Sequence, residues 1–138
     1  LQQAMMTGVP RDLRDEDPEA LGPLRDQVTE MLDGLTAELG PSHLVLGGFS
    51  QGAMLATEMT LSTERTIDGL VLWSGAYLAG PRWTAAMPDR VADLPVYQSH
   101  GNMDPLLSFE GAGALRDRVR ALGYEITDTA EGPRVDAA

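Results

Sequence analysis

The sequence contains no cysteine among its 138 residues and only two histidines. The absence of cysteine excludes disulfides, thiolate metal sites and a cysteine nucleophile. No Gly-Lys-Ser or Gly-Lys-Thr tripeptide occurs, so a Walker-type cradle for nucleotide phosphates is excluded as well. The acidic residues between positions 12 and 17 lack the spacing of a calcium loop. We therefore expect no metal site.

Positive charge is scarce, because 21 acidic residues stand against 10 basic ones and the formal net charge is −11. Such a chain has no basic patch for nucleic-acid phosphates and little attraction to an anionic membrane surface. No apolar run approaches the roughly 20 residues of a membrane span, and no secretory signal is visible. These absences predict a cytoplasmic protein with an acidic, well-solvated surface. Nucleic acid and stable membrane insertion are not expected.

No internal repeat or low-complexity linker divides the chain, and its length suits one domain with a real core. We therefore expect a single domain over residues 1–138. Residues 1–16 are polar and turn-rich, which predicts an irregular or mobile segment. Residues 130–138 are predicted to form an irregular tail.

Short aliphatic runs alternate with helical patterns along the rest of the chain. The run over residues 43–48 predicts a strand buried on both faces, a second buried strand is predicted over 67–73, and further strands are predicted over 94–99 and 124–127. The helical patterns lie over residues 17–40, 50–61, 81–93 and about 115–122, and the first of them is predicted to start with Asp17 as its N-cap. This alternation predicts an α/β fold with a mostly parallel sheet and flanking helices. In such sheets, chemistry gathers at the carboxyl ends of the strands.

Ser50 stands at one of these strand ends, in the stretch GFSQG. The G-x-S-x-G spacing is typical of a nucleophile elbow, in which a sharp strand-to-helix turn displays the serine. Gly48 and Gly52 would then avoid side-chain collisions in the turn, and the N–H of Gln51 would form half of an oxyanion hole. A plain glycine-rich turn with Ser50 capping the following helix is the alternative. Because a buried run stops at Gly48 and a helical pattern follows directly, the sequence favours the elbow.

Asp104 follows the third predicted strand, in the stretch SHGNMDP. It comes after Ser50 in the chain, which is the order of serine and acid in α/β-hydrolase triads. An acid at the same sheet edge as the serine is suited to hold an imidazole. The alternative is a simple Asp-Pro turn.

Three stretches, GFSQGA, GLVLWSGAYL and LPVYQSHGNMDP, resemble the carboxylesterase/phospholipase family of α/β-hydrolases, which includes the acyl-protein thioesterases. The resemblance covers about residues 17–126. It implies esterase or thioesterase activity on acyl esters or lysophospholipids without a cofactor. By position, it implies that Ser50 is the nucleophile, Gln51 an oxyanion donor and Asp104 the triad acid.

The sequence departs from this family in two places. The resemblance implies a catalytic histidine in the stretch that reads AEGPRV here, and Arg134 stands at its position. Arginine stays protonated and is no base. Of the two histidines, His100 is a weak surrogate base, and His43 is expected at the opposite end of its strand. The family also has further strands and an oxyanion segment before the first helix, so the chain resembles the C-terminal half of an α/β-hydrolase shortened at its N-terminus.

Two hypotheses for function follow. The first is a serine carboxylesterase that hydrolyses short-chain acyl esters, thioesters or lysophospholipids through an acyl-enzyme on Ser50. The second is a catalytically impaired or truncated hydrolase-like domain that acts as a binding or vestigial module. If strands are missing beside residues 43–48, an apolar sheet edge is left open. We expect this edge to support a homo-oligomer.

Overall fold

The structure is a computed structural model, and it describes residues 6–91 and 93–122 together with the strand at 126–129. Its elements follow the predicted alternation of helices and strands. In chain order they are α1 (Leu21–Leu39), β1 (Val45–Phe49), α2 (Gln51–Ser62), β2 (Gly69–Trp73), α3 (Gly80–Arg90), β3 (Val96–Ser99), α4 (Phe109–Ala121) and β4 (Ile126–Thr129).

The described strands form a four-stranded sheet in the order β1-β2-β3-β4. Every neighbouring pair is parallel. Because each connection steps one strand in the same direction, right-handed crossovers place α2, α3 and α4 on one face of the sheet. The predicted α/β class, with a parallel sheet and flanking helices, is confirmed.

The hydrophobic core lies between this face and the helices. Helix α2 is at its centre, packed against β1, β2, α1 and α3, which explains why its apolar residues are buried nearly all round. The core draws on every layer, and its most buried members include Ala53, Met59, Leu70, Leu72, Trp83, Met87, Val96, Leu115 and Val119.

Strand β1 lies at the edge of the described sheet, and its outer face is open. Val45 is 57% exposed and Phe49 is 69% exposed, while Trp73, the register partner of Phe49, is 47% exposed. The prediction that this run is buried on both faces is therefore wrong. The helices cover only one face of the described sheet, so alternate residues of β1 meet solvent. Self-association through this edge stays a prediction.

Helix α1 begins at Leu21 with Ala20 as its N-cap, so the predicted start at Asp17 is wrong. The carboxylate of Asp17 instead accepts two hydrogen bonds from the guanidinium of Arg82, at 2.8 and 2.9 Å. The end of the helix follows the prediction. Gly40 adopts a left-handed conformation there, with φ 55°, and its N–H donates to the carbonyl of Thr36.

Residues 11–17, here called the connecting segment, join two loops at the carboxyl end of the sheet. Arg11 exchanges backbone hydrogen bonds with the loop after β3, through the carbonyl of Leu106 and the N–H of Ser108. Farther along, the carbonyls of Arg14 and Glu16 accept hydrogen bonds from the loop after β2, at 2.7 and 2.8 Å. The segment is irregular apart from one bridge, but it is well anchored.

Candidate functional site

The residues that follow β1, β2 and β3 lie in one row at the carboxyl edge of the sheet. Phe49, Trp73 and Ser99 are the last register partners of these strands, so Ser50, Ser74 and His100 come next. The N–H of Ser50 donates to the carbonyl of Trp73 at 2.8 Å, and the N–H of Ser74 donates to that of Ser99 at 2.8 Å. The structure thus brings Ser50 and the loop that holds Asp104 to the same edge.

Ser50 occupies a strained turn between β1 and α2. Its φ of 55° and ψ of −118° lie where residues other than glycine are rare. Although Ser50 is the N-cap residue of α2, its side chain makes no capping hydrogen bond. The alternative in which Ser50 serves as a side-chain cap is therefore wrong. A strained residue of this kind is found mostly at functional sites.

Gly48 is required by the close approach of β1 and α2. A Cβ at this position would lie 2.2 Å from the carbonyl carbon of Gly52 and 2.6 Å from the backbone nitrogen of Ala53. These are backbone atoms, so no side-chain movement relieves the clash. A Cβ at Gly52 meets nothing within 4 Å. The steric reason predicted for both glycines therefore applies to Gly48 and not to Gly52.

The two glycines give a matched pair of variants. We expect Gly48→Ala to destabilise the chain by about 1–3 kcal/mol or more, because it overpacks the strand-to-helix turn. Gly52→Ala is expected to leave stability unchanged or raise it by up to about 1 kcal/mol, since alanine is the better helix former. Urea unfolding followed by circular dichroism measures both. Equal destabilisation by the two variants would contradict this geometry.

The first turn of α2 lies directly behind Ser50. The first N–H groups of a helix have no acceptor within that helix, so the N–H of Gln51 is available to a ligand. The helix dipole adds a partial positive charge at this end. An oxygen that gains negative charge beside Ser50 would be stabilised there.

Asp104 is held by its own loop. Its Oδ1 accepts hydrogen bonds from the N–H groups of Leu106 and Leu107, at 2.8 and 3.0 Å. The predicted Asp-Pro turn is thus present. Its Oδ2 takes no part in the turn and lies 3.6 Å from the Nε2 of His100. One carboxylate oxygen closes the turn, and the turn does not use the other.

Neither histidine is placed to act on Ser50. His43 precedes β1, at the end of the strand far from Ser50, and its Nδ1 lies 3.6 Å from Asp68 Oδ1. His100 follows β3, two strand spacings or about 10 Å from the end of β1. Its side chain is buried and its Nε2 is directed at the carbonyl of Leu107, 3.2 Å away. The surrogate role considered for His100 is therefore not supported, and Arg134 lies outside the described residues.

An apolar cavity of about 320 Å³ opens beside Gln51. Half of its ten lining residues are leucines from the connecting segment, α1, α2 and the loop after β2, and the others include Met54, Arg11 and Glu16; the leucines are Leu13, Leu21, Leu24, Leu55 and Leu78. Sequence reasoning missed this cavity, because its residues are scattered over almost 70 positions. The only local signal was Leu13, an apolar residue within a polar stretch.

Trp73 and Trp83, which flank the loop after β2, have different surroundings. Trp83 is fully buried, and its Nε1 donates to Glu58 Oε2 at 2.7 Å, so it belongs to the core. Trp73 is half-exposed at the carboxyl edge of the sheet. Sequence reasoning also missed Ser74, which has a φ of 48° and lies beside Ser50 in the row of strand ends.

Among the described residues, no three or more His, Asp or Glu side chains form a cluster that could hold a metal ion. In the same part of the chain, no helix is long and apolar enough to cross a membrane.

Comparison with known proteins gives a consistent result. The model of the phospholipase/carboxylesterase family matches residues 19–130. A probable carboxylesterase from Oryza sativa subsp. japonica is 34% identical over 90 residues, which are 64% of this chain and 38% of that protein. An acyl-protein thioesterase 1 from Cryptococcus neoformans var. neoformans is 30% identical over 86 residues, which are 62% of this chain and 36% of that protein. The matched part thus spans less than half of these relatives.

Solved structures share the fold. The crystal structure of SOBER1 from Arabidopsis thaliana superposes with a TM-score of 0.69 at 23% identity, over 83% of this chain and 55% of that one. Esterase PE8 superposes with a TM-score of 0.64 at 22% identity, over 81% of this chain and 53% of that one.

Proposed function

Because the chain belongs to the phospholipase/carboxylesterase family, we propose that it acts on acyl esters as a serine carboxylesterase, with Ser50 as the nucleophile. The observation that carries this proposal is the geometry of Ser50. Its hydroxyl stands on a strained turn at the carboxyl edge of the sheet, free of a capping bond and at the start of a helix. A strand-to-helix turn of this form displays a nucleophilic serine.

The proposed reaction has two steps. The Oγ of Ser50 attacks the ester carbonyl carbon, and the carbonyl oxygen gains negative charge beside the N–H of Gln51. The bond to the alcohol then breaks, and the alcohol leaves with the proton lost by the serine. Water attacks the resulting acyl-serine, which releases the acid and restores the hydroxyl.

The apolar cavity beside Gln51 is proposed to hold the acyl group of the substrate. Half of its lining residues are leucines, which suits an aliphatic chain, and the charged Arg11 and Glu16 also line it. Its volume of about 320 Å³ falls at the lower end of ligand pockets, which favours short acyl chains. The proposed partner is therefore a small acyl ester or thioester.

Asp104 is proposed as the acid of the site, with Oδ2 as the oxygen that would hold a protonated base. Neither histidine of the chain reaches Ser50, so neither of them supplies its general base. A base contributes about 10²–10⁴-fold to each proton transfer. Acylation by an activated ester depends least on a general base, because its good leaving group departs without needing a proton. We therefore expect Ser50 to be acylated faster than the acyl group is released.

The second candidate function is a catalytically impaired hydrolase-like module that binds esters without turning them over. The positions of His43 and His100 favour it, because both are engaged away from Ser50.

Incubation with p-nitrophenyl acetate tests the proposal. We expect a burst of p-nitrophenolate that approaches one equivalent per chain, followed by slow turnover, with one acetyl group added on Ser50 by mass spectrometry. Ser50→Ala should abolish the burst, and Ser42→Ala, at an exposed loop serine, should leave it unchanged.

The outcomes separate the two candidates. No acylation of a folded chain would leave only the impaired module. Acylation that survives Ser50→Ala would contradict Ser50 as the nucleophile.

A further inference from the structure

His100 is a buried histidine to which the proposed reaction assigns no role. Its side chain is 3% exposed, although an imidazole is polar at both nitrogens. Its Nε2 lies 3.2 Å from the carbonyl oxygen of Leu107 and 3.6 Å from Oδ2 of Asp104. Both neighbours are acceptors, so Nε2 carries the proton and donates to Leu107.

Nε2 alone fixes the orientation of the ring among the described residues. Its Nδ1 is buried and has no hydrogen-bond partner there. The ring of Phe109, at the start of α4, lies tilted against it with centroids 6.1 Å apart. This contact fills space but gives the imidazole no polar partner. The bond to Leu107 is therefore the specific interaction that the buried ring makes.

Leu107 connects His100 to the acid. Its carbonyl accepts from His100, and its own N–H donates to Oδ1 of Asp104 at 3.0 Å. The backbone of Leu107 is therefore hydrogen-bonded to the ring through its carbonyl and to the carboxylate through its N–H, so the position of the ring affects the position of the carboxylate. On the other side of the loop, Leu106 accepts a backbone hydrogen bond from Arg11 of the connecting segment. Hydrogen bonds therefore hold the loop from both sides, and the one on the side of the sheet comes from the side chain of His100.

We propose that His100 is a positioning residue for Asp104. Its Nε2–H holds Leu107, and the N–H of Leu107 holds Oδ1, so Oδ2 takes no part in the turn and would be the oxygen that meets a catalytic partner. The inference rests on the proposed function for the role of Asp104 as the acid. The hydrogen-bond arrangement itself is independent of any activity.

Two variants distinguish the effect of the hydrogen-bond donor at position 100 from the effect of the size of its ring. His100→Gln places an amide N–H near the position of Nε2 and retains a donor to Leu107. His100→Phe retains a ring that packs on Phe109 but has no donor. A residue that only fills space tolerates phenylalanine better than glutamine. A positioning residue shows the opposite order.

Amide hydrogen exchange, measured by NMR on the whole chain, shows directly which of the two variants disturbs the loop more. We expect the N–H groups of Leu106 and Leu107 to lose about tenfold in protection in His100→Phe, since one hydrogen bond of the loop is lost. His100→Gln should keep most of the protection. His43→Gln is the matched control, because that histidine is 78% exposed at the opposite edge, and it should change nothing at Leu107. Equal loss in both His100 variants would overturn the proposal.

Long-range ¹H–¹⁵N spectra give the second readout, and the two histidines of the chain make their assignment simple. The proposal expects a proton on Nε2 of His100, in the neutral or the charged ring. A neutral ring with its proton on Nδ1 would overturn the proposal.

A kinetic measurement links the arrangement to catalysis. In a chain that carries Arg134→His, an imidazole stands at the position where the family resemblance implies the catalytic histidine, and it is the proposed partner of Asp104. There His100→Phe should lower kcat about 10²-fold with little change in KM, and His100→Gln should lower it only a few-fold. No gain in turnover in the Arg134→His chain would contradict the assignment of position 134 and not the role of His100, which the exchange and tautomer measurements still decide.

Discussion

Replacement of Arg134 by histidine is expected to raise the turnover of p-nitrophenyl acetate by about 10²–10⁴-fold, the contribution of a positioned general base. The resemblance to the family places an imidazole at this residue, whereas a guanidinium stays protonated and accepts no proton. With a base present, water is activated to attack the acyl-serine, so the slow second step becomes fast. Steady-state release of p-nitrophenolate measures the change.

Three control variants test whether the gain in rate comes from the imidazole. Arg134→Gln removes the guanidinium without supplying a base, and it should leave the rate within a few-fold of that of the unchanged chain. Ser50→Ala and Asp104→Asn, each combined with Arg134→His, should remove most of the gain. A gain of the same size in Arg134→Gln would show that the arginine blocks the site instead of standing in the place of a base. No gain in Arg134→His would contradict the assignment of this position.

Replacement of Glu58 by alanine is expected to destabilise the chain by about 2–5 kcal/mol, the cost of a buried donor left unpaired and of a new cavity. Glu58 is fully buried in α2, although it carries a charge. Its carboxylate accepts from Trp83 Nε1 at 2.7 Å, from Arg82 at 2.7 Å and from Arg25 at 3.0 Å. The variant leaves the indole N–H of Trp83 buried and unpaired, and it opens a cavity between α1, α2 and α3.

Urea unfolding followed by circular dichroism measures this loss. Glu30→Ala, at an exposed position of α1, is the control and should stay within about 0.5 kcal/mol of the unchanged chain. Loss of less than 1 kcal/mol in Glu58→Ala would contradict the network. Because a domain of this kind has only about 5–15 kcal/mol of stability, the variant removes a large share of it.

The Glu58 network also predicts a dependence on pH. Burial by itself raises the pKa of Glu58, but the hydrogen bonds from Arg82 and Trp83 outweigh it, and the pKa lies below its usual value. A carboxyl whose pKa is lower in the folded state stabilises the fold above the pKa of the unfolded chain, near 4.5. That stabilisation is lost as the pH falls through the folded-state value. The stability difference between the unchanged chain and Glu58→Gln should therefore shrink below about pH 4.5.

The sequence by itself determined the fold class and the order of the elements. Alternating aliphatic runs and helical patterns depend on local periodicity, which a single chain displays in full. The end of α1 at Gly40 was readable for the same reason, since a left-handed cap favours glycine. The start of α1 was not, because the carboxylate of Asp17 binds Arg82, 65 residues away, instead of capping the helix. A local pattern contains no information about so distant a partner.

Only the tertiary structure decided what surrounds each candidate residue. The spacing of GFSQG pointed to Ser50, but its strained backbone and the clash that requires glycine at position 48 depend on how β1 meets α2. The exposure of β1 depends on which face the helices cover, and the apolar cavity joins residues from four separate segments. His100 is also far from Ser50, because two strand spacings separate the ends of β1 and β3, and its ring contacts Leu107 instead. A sequence motif identifies candidate residues, but the packing of elements that are distant in sequence sets the distances between those residues, and their chemistry depends on these distances.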